Sequence, residues 1–127
     1  MLAIMNGELS TKIAHVDLSD SIFRFVTLDS TGLRVSLSTT GDQAYGILQN
    51  APEINEEAVI KVFGESQLET SSSGGIAVGA YMAPTVTTGI GIVATSGDLV
   101  RGIVTKPTTS DTGLVVVRLV DSTLAVA

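Results

Sequence analysis

The sequence predicts an all-β protein, a small barrel or sandwich built from two related β units with an extended N-terminal arm. Three observations carry that expectation. The first is composition: among 127 residues stand 15 Val, 10 Ile and 15 Thr, β-branched side chains that lose χ1 freedom in a helix and suit a pleated surface. The second is punctuation. Short apolar runs are broken by Gly, Ser, Thr and Asp, and no stretch of helical length keeps a 3.6-residue period. The third is that the two halves of the chain match each other. A chain of this length fits one domain, large enough to bury roughly two thirds of its unfolded surface.

Taken in order, residues 1–20 are mixed and poorly periodic and carry Lys12, His15, Asp17 and Asp20; they read as the arm. A single β domain follows over 21–127. Its first strands are expected at 22–28, 33–37, 44–48, 58–63 and 76–78, each a β-branched run between turn residues. Pro52 and the acids after it match helix-start chemistry, so one helical turn is expected over 53–57. The polar, flexible Ser71-Ser72-Ser73-Gly74-Gly75 stretch is the natural joint, a loop within one domain. A second series of strands is expected at 81–86, 90–94, 99–104, 114–120 and 123–126.

The internal match places about 22–66 on about 79–123. Thr39-Thr40-Gly41-Asp42-Gln43-Ala44-Tyr45-Gly46-Ile47-Leu48 aligns without a gap on Thr95-Ser96-Gly97-Asp98-Leu99-Val100-Arg101-Gly102-Ile103-Val104. Val59-Ile60-Lys61-Val62-Phe63 falls on Val116-Val117-Arg118-Leu119-Val120, and Thr31-Gly32-Leu33-Arg34-Val35 on Thr88-Gly89-Ile90-Gly91-Ile92. One four-strand unit alone would leave an apolar face wet and its edges unpaired, so the units are expected to close on each other.

Charge and residue inventory then narrow the function. A formal net charge of −6 opposes binding to a phosphate backbone. Aromatic residues make up only 4% and Trp is absent, so the platforms that stack bases or sugars lack their material. Without Cys, disulfides, thiolate metal sites and a Cys nucleophile are excluded, and a single His leaves no multi-His metal site. No apolar run reaches the length of a membrane span, and the first residues lack the basic start of a secretory signal. The expectation is a soluble, intracellularly made protein with no nucleic-acid or membrane partner.

The motifs that suggest chemistry read better as structure. Gly89-Ile90-Gly91-Ile92-Val93-Ala94 has the letters of a dinucleotide fingerprint, but a strand follows where a helix N-terminus is required. Asp42 and Asp98 occupy equivalent Gly-Asp turns, where Asp and Gly serve turn geometry. Glu53, Glu56 and Glu57 lack the alternating ligands and central Gly of a calcium loop. His15 has Asp17 and Asp20 nearby, yet no Gly-x-Ser-x-Gly elbow exists. Gly-Asp followed by apolar residues and Gly also suggests a biotinyl or lipoyl carrier, but Lys61 lies in an apolar strand and Lys106 precedes Pro107, so neither sits at a hairpin tip. No catalytic, cofactor-binding or metal-ligating residue is assigned, and no enzyme activity is expected.

The cadence of Phe25-Val26-Thr27-Leu28-Asp29-Ser30-Thr31-Gly32-Leu33, Ala44-Tyr45-Gly46-Ile47-Leu48 and Ala58-Val59-Ile60-Lys61-Val62-Phe63-Gly64 resembles the capsid cement, or head decoration, proteins of tailed bacteriophages. It continues in Gly79-Ala80-Tyr81-Met82-Ala83-Pro84, Val100-Arg101-Gly102-Ile103-Val104 and Val115-Val116-Val117-Arg118-Leu119, so the likeness covers about residues 22–126. The Ser-rich loop at 71–75 and the acidic loop at 53–57 depart from the family's commoner pattern. The resemblance implies a structural virion protein on the outer surface of the assembled head, a homotrimer that bridges major capsid protein subunits. Contacts are expected from the arm and from two Pro-containing loops, 49–57 and 105–113, through Ile13, His15, Val16, Asp17, Asn50, Pro52, Ile54, Lys106 and Pro107. Two alternatives stay open: another virion module such as a tail or fibre domain, and a carrier or small-ligand-binding β-barrel.

Overall fold

The computed structural model describes residues 7–39, 43–71, 76–85, 88–95, 98–107 and 113–124. Outside them lie residues 1–6 of the expected arm, the Gly41-Asp42 and Gly97 parts of the paired turns, residues 72–75 of the joint, Val86, residues 108–112 of the second loop and the chain end from 125. The described residues form nine strands and no helix: β1 (Gly7–Ala14), β2 (Phe25–Leu28), β3 (Arg34–Leu37), β4 (Gly46–Leu48), β5 (Glu57–Glu69), β6 (Tyr81–Pro84), β7 (Gly91–Val93), β8 (Leu99–Lys106) and β9 (Leu114–Leu124).

The strands join in the order β1-β3-β2-β4-β5-β9-β8-β6-β7, and β1 also pairs with β5. The first five strands therefore close on themselves as a ring. Only β1 and β3 run parallel in it, with Ile13 opposite Arg34 and Ala14 opposite Val35. The second set returns to β5 at one parallel bridge, Thr70 opposite Gly91. In each set the parallel partner lies two strands further along the chain: β3 for β1, and β7 for Thr70, the residue just past β5. Closure serves a physical need, since a closed sheet leaves few unpaired N–H and C=O groups at an edge.

The units are related down to single hydrogen bonds. Phe23 N–H donates to Leu48 O at 2.8 Å, and Gly79 N–H donates to Val104 O at 2.8 Å. Leu48 N–H reaches Arg24 O at 3.0 Å, and Val104 N–H reaches Ala80 O at 2.9 Å. Phe23 and Gly79 both adopt positive φ, 65° and 89°. That shared left-handed corner is why the strand expected at 22–28 begins only at Phe25, and why 76–78 gives way to a turn over residues 77–80 rather than a strand.

β5 is the common wall. Its first part pairs with β1 and β4, and Glu65–Glu69 pairs with β9. The strand expected over 58–63 continues past Gly64, whose φ of 95° re-aims the chain without ending the ladder. The two last expected strands likewise merge into β9. The helical turn expected over 53–57 is instead a tight turn: Asn55 takes φ 70°, Glu56 N–H donates to Glu53 O at 3.0 Å, and the Glu56 carboxylate accepts Glu53 N–H at 2.8 Å. The left-handed residue stops a helix before it can nucleate.

Alternation along the strands splits the core in two. Val26, Val35, Leu48, Ala58 and Ile60, with Ala14 and Leu18, fill the first ring. Their neighbours Phe25 and Ile47 point the other way and pack with Leu68, Met82, Val104, Val115 and Val117 of the second unit. Phe25-Val26 of β2 and Ile47-Leu48 of β4 are therefore buried on both faces, which accounts for the consecutive apolar residues there.

Of the segment 1–20 expected as an arm, Gly7–Ala14 is extended but lies in the barrel wall as β1. It pairs with β5 from Gly7 to Ile13 and with β3 at its end. Its main-chain groups facing β5 are taken up from Gly7 to Ile13, and β3 takes up the other edge only at Ile13 and Ala14.

Candidate interaction surface

Three segments distant in sequence meet at one end of the first ring. The end of β1 runs into residues 15–18. Ile13 N–H donates to Leu33 O at 3.1 Å and His15 N–H to Val35 O at 2.8 Å, which ties this segment to β3. Between these two bonds, Ala14 N–H donates to Glu56 O at 2.9 Å and Asn55 N–H to Ala14 O at 2.9 Å, tying it to the β4–β5 loop. Leu18 N–H then donates to Pro52 O at 2.9 Å. Arg34 Nη1 donates to Asn55 Oδ1 at 2.9 Å, joining the remaining pair of segments.

Each segment contributes an exposed apolar side chain. Leu33 is 65% exposed, Ile54 55% and Val16 39%. Around them Asp17, Asp20, Glu53, Glu56 and Glu57 are exposed. The Asp17 carboxylate accepts Ser19 N–H at 3.0 Å, and that bond holds its pKa below the ordinary carboxylate value.

Leu33 is placed by a turn with its own internal lock. The Asp29 carboxylate accepts Thr31 Oγ1–H at 2.7 Å and Thr31 N–H at 3.1 Å, while Leu33 N–H donates to Thr31 Oγ1 at 3.2 Å. The Thr31 hydroxyl is the main cause of a lowered Asp29 pKa. Gly32 supplies the left-handed position of the turn, φ 74°.

The sequence-expected contact residues divide into three groups. Val16, Asp17, His15 and Ile54 stand exposed at this end of the ring, with Ile13 half-buried beside them. Asn50 and Pro52 belong to the scaffold beneath. Asn50 Nδ2 donates to Glu57 O at 2.9 Å and its Oδ1 accepts Val59 N–H at 3.0 Å, and Pro52 is buried. Lys106 and Pro107 are exposed, but Lys106 ends β8 in the second unit, opposite Val116, and Pro107 follows it, outside these bonds. Leu33 and Arg34 were not among the expected contacts. The available signal was an apolar residue placed directly after the Asp29-Ser30-Thr31-Gly32 turn.

A groove of about 600 Å³ lies elsewhere, lined by Thr27, Leu28, Gln43, Ala44, Tyr45, Val62 and Arg101. Its cation is engaged in the fold. Arg101 Nε donates to Ala44 O at 3.0 Å, Nη1 to Val120 O at 2.6 Å, and Nη2 to Tyr45 O and Val62 O at 2.9 and 3.0 Å. The guanidinium thus staples β9 to the first ring. Lys61 is buried in β5, only 8% exposed, so it is not displayed for modification. Among the described residues, no three His, Asp or Glu side chains gather as a metal set, and no helix is long and apolar enough to cross a membrane.

No protein-family model matches the chain, and no curated protein does. A solved structure does: the N base of the head fiber gp8.5 of bacteriophage phi29, at 13% identity and a TM-score of 0.67, covering 96% of this chain and 99% of that one. At that identity the likeness establishes a shared fold over nearly the full length of both chains.

Proposed function

We propose that the protein is a non-enzymatic structural component of a tailed-phage virion, seated on the outside of the head in contact with the major capsid protein. The observation that carries this reading is the end-to-end likeness to the base of a head fibre, which joins the cement-protein cadence of the sequence from an independent direction. The architecture suits the role. Two β units share one strand and one core cluster that draws on both, so load applied at one end is passed through hydrogen-bonded strands. The related units further support descent from a tandem duplication.

Two forms of the role are distinguished by what stands above the shell. A cement protein, as a homotrimer at three-fold or quasi-three-fold positions, would bridge subunits as a low knob. A fibre base would carry a projection outward, and the phi29 likeness supports this form as much as the sequence cadence supports the first. Many weak contacts repeated around a symmetric shell suffice for either. Mixing the purified protein with expanded heads that lack it, and separately with tails, then imaging both, tests the reading. Density on heads alone is expected; density on tails alone, or on neither, would overturn it.

A further inference from the structure

We infer that the end of the first ring carrying Leu33, Ile54 and Val16 is the docking face, and that it takes a protein surface with an apolar hollow rimmed by Lys and Arg. This rests on the head-surface reading above and supplies the chemistry of its partner. Two observations converge on it. The apolar side chains come from three chain segments cross-linked by main-chain hydrogen bonds, so the patch is held in shape before binding and little ordering entropy opposes docking. An apolar centre with a charged rim is the anatomy of a protein–protein contact, whose centre carries most of the energy while its rim sets partner and on-rate.

The rim decides the occupant. Asp17, Asp20, Glu53, Glu56 and Glu57 are exposed there, against only Arg34, which is bonded to Asn55, and His15. A second copy presenting the same face would set carboxylates against carboxylates, so self-association uses another surface. Anionic lipid and nucleic acid are repelled by the same field. A basic rim on the partner satisfies it.

A second exposed apolar pair on the same ring, Leu9 at 57% and Phe63 at 66%, provides the internal control. Leu9 lies four residues before Ile13 on β1, about 13 Å away along the strand, and Glu8 stands opposite Phe63 on β5.

The test is binding of the full chain to expanded heads that lack it, measured by co-sedimentation at 50 and 300 mM salt. Wild type is compared with Leu33→Ser/Ile54→Ser, Asp20→Asn/Glu53→Gln/Glu57→Gln and Phe63→Ser, each first shown to retain the wild-type melting temperature. The apolar double variant is expected to bind at least about tenfold more weakly at both salts. The charge variant is expected to lose most of the salt dependence, and Phe63→Ser to bind as wild type. Unchanged binding by the first two variants, with wild type bound, would overturn the assignment of this face and leave the head-surface reading standing. Absence of wild-type binding would overturn both.

Discussion

At the scale of single residues, local bonds decide how the surface is held. Asp17 and Asp29 accept hydrogen bonds that favour the charged carboxylate, so both are expected to titrate below the ordinary value of about 3.9 in carboxyl-detected NMR. Because the folded pKa is the depressed one, their contribution to stability is complete above the unfolded value and is lost as pH falls through the folded value. Loosening of the Asp29 turn, and with it Leu33, is therefore expected only in acid. Arg101→Lys is expected to cost about 2 kcal/mol, since an ammonium cannot reach the four carbonyls that the fork holds at once. Gly46→Ala is expected to cost about 1–3 kcal/mol, because its Cβ would press on Lys61 O and Ile60 Cγ2 where β4 meets β5. Both losses would appear as a lower denaturant midpoint with an unchanged slope. An unchanged midpoint in either variant would show that the contact adds nothing.

At the scale of elements, β1 is the instructive case. The amides of Ile13, Ala14 and His15 donate in turn to β3, the β4–β5 loop and β3 again, so hydrogen exchange should find all three protected to the same degree as β5. Exchange at the rate of an open chain would show that the segment is a free arm after all. The strands of the two repeats were legible because β-branched runs lie between turn residues, and the relation between units was legible from Thr39–Leu48 recurring at 95–104. β1 was not legible by alternation: its outward positions carry Glu8, Leu9 and Thr11, and its only fully buried side chain is Ala14. A signal was present in the repeat itself, for Gly7-Glu8 recurs as Gly64-Glu65 where β5 enters the second unit. The candidate surface was half legible. The end of the expected arm (1–20) and the loop 49–57 were expected as contact segments and do lie together, but nothing in sequence says that β3 delivers Leu33 between them, or that Asn50 and Pro52 belong to the scaffold beneath.

At the scale of the whole molecule, the two units share β5, a core that crosses between them, and hydrogen bonds such as Phe25 N–H to Gly89 O at 2.8 Å. Thermal unfolding is therefore expected as one transition, with equal calorimetric and van 't Hoff enthalpies. Phe25→Ala, which empties the centre of the crossing core, is expected to lower it as a whole by about 3–5 kcal/mol; two resolved transitions would mean the units fold apart. Under the proposed head-surface role, the apolar, acid-rimmed end of the first ring is the part that meets the shell. The most direct test is cryo-electron microscopy of expanded heads with the protein bound. The expected map shows the first ring against the shell, with Leu33 and Ile54 over a hollow lined by basic residues. A map with the second unit against the shell, or with no density on the head, would contradict the account.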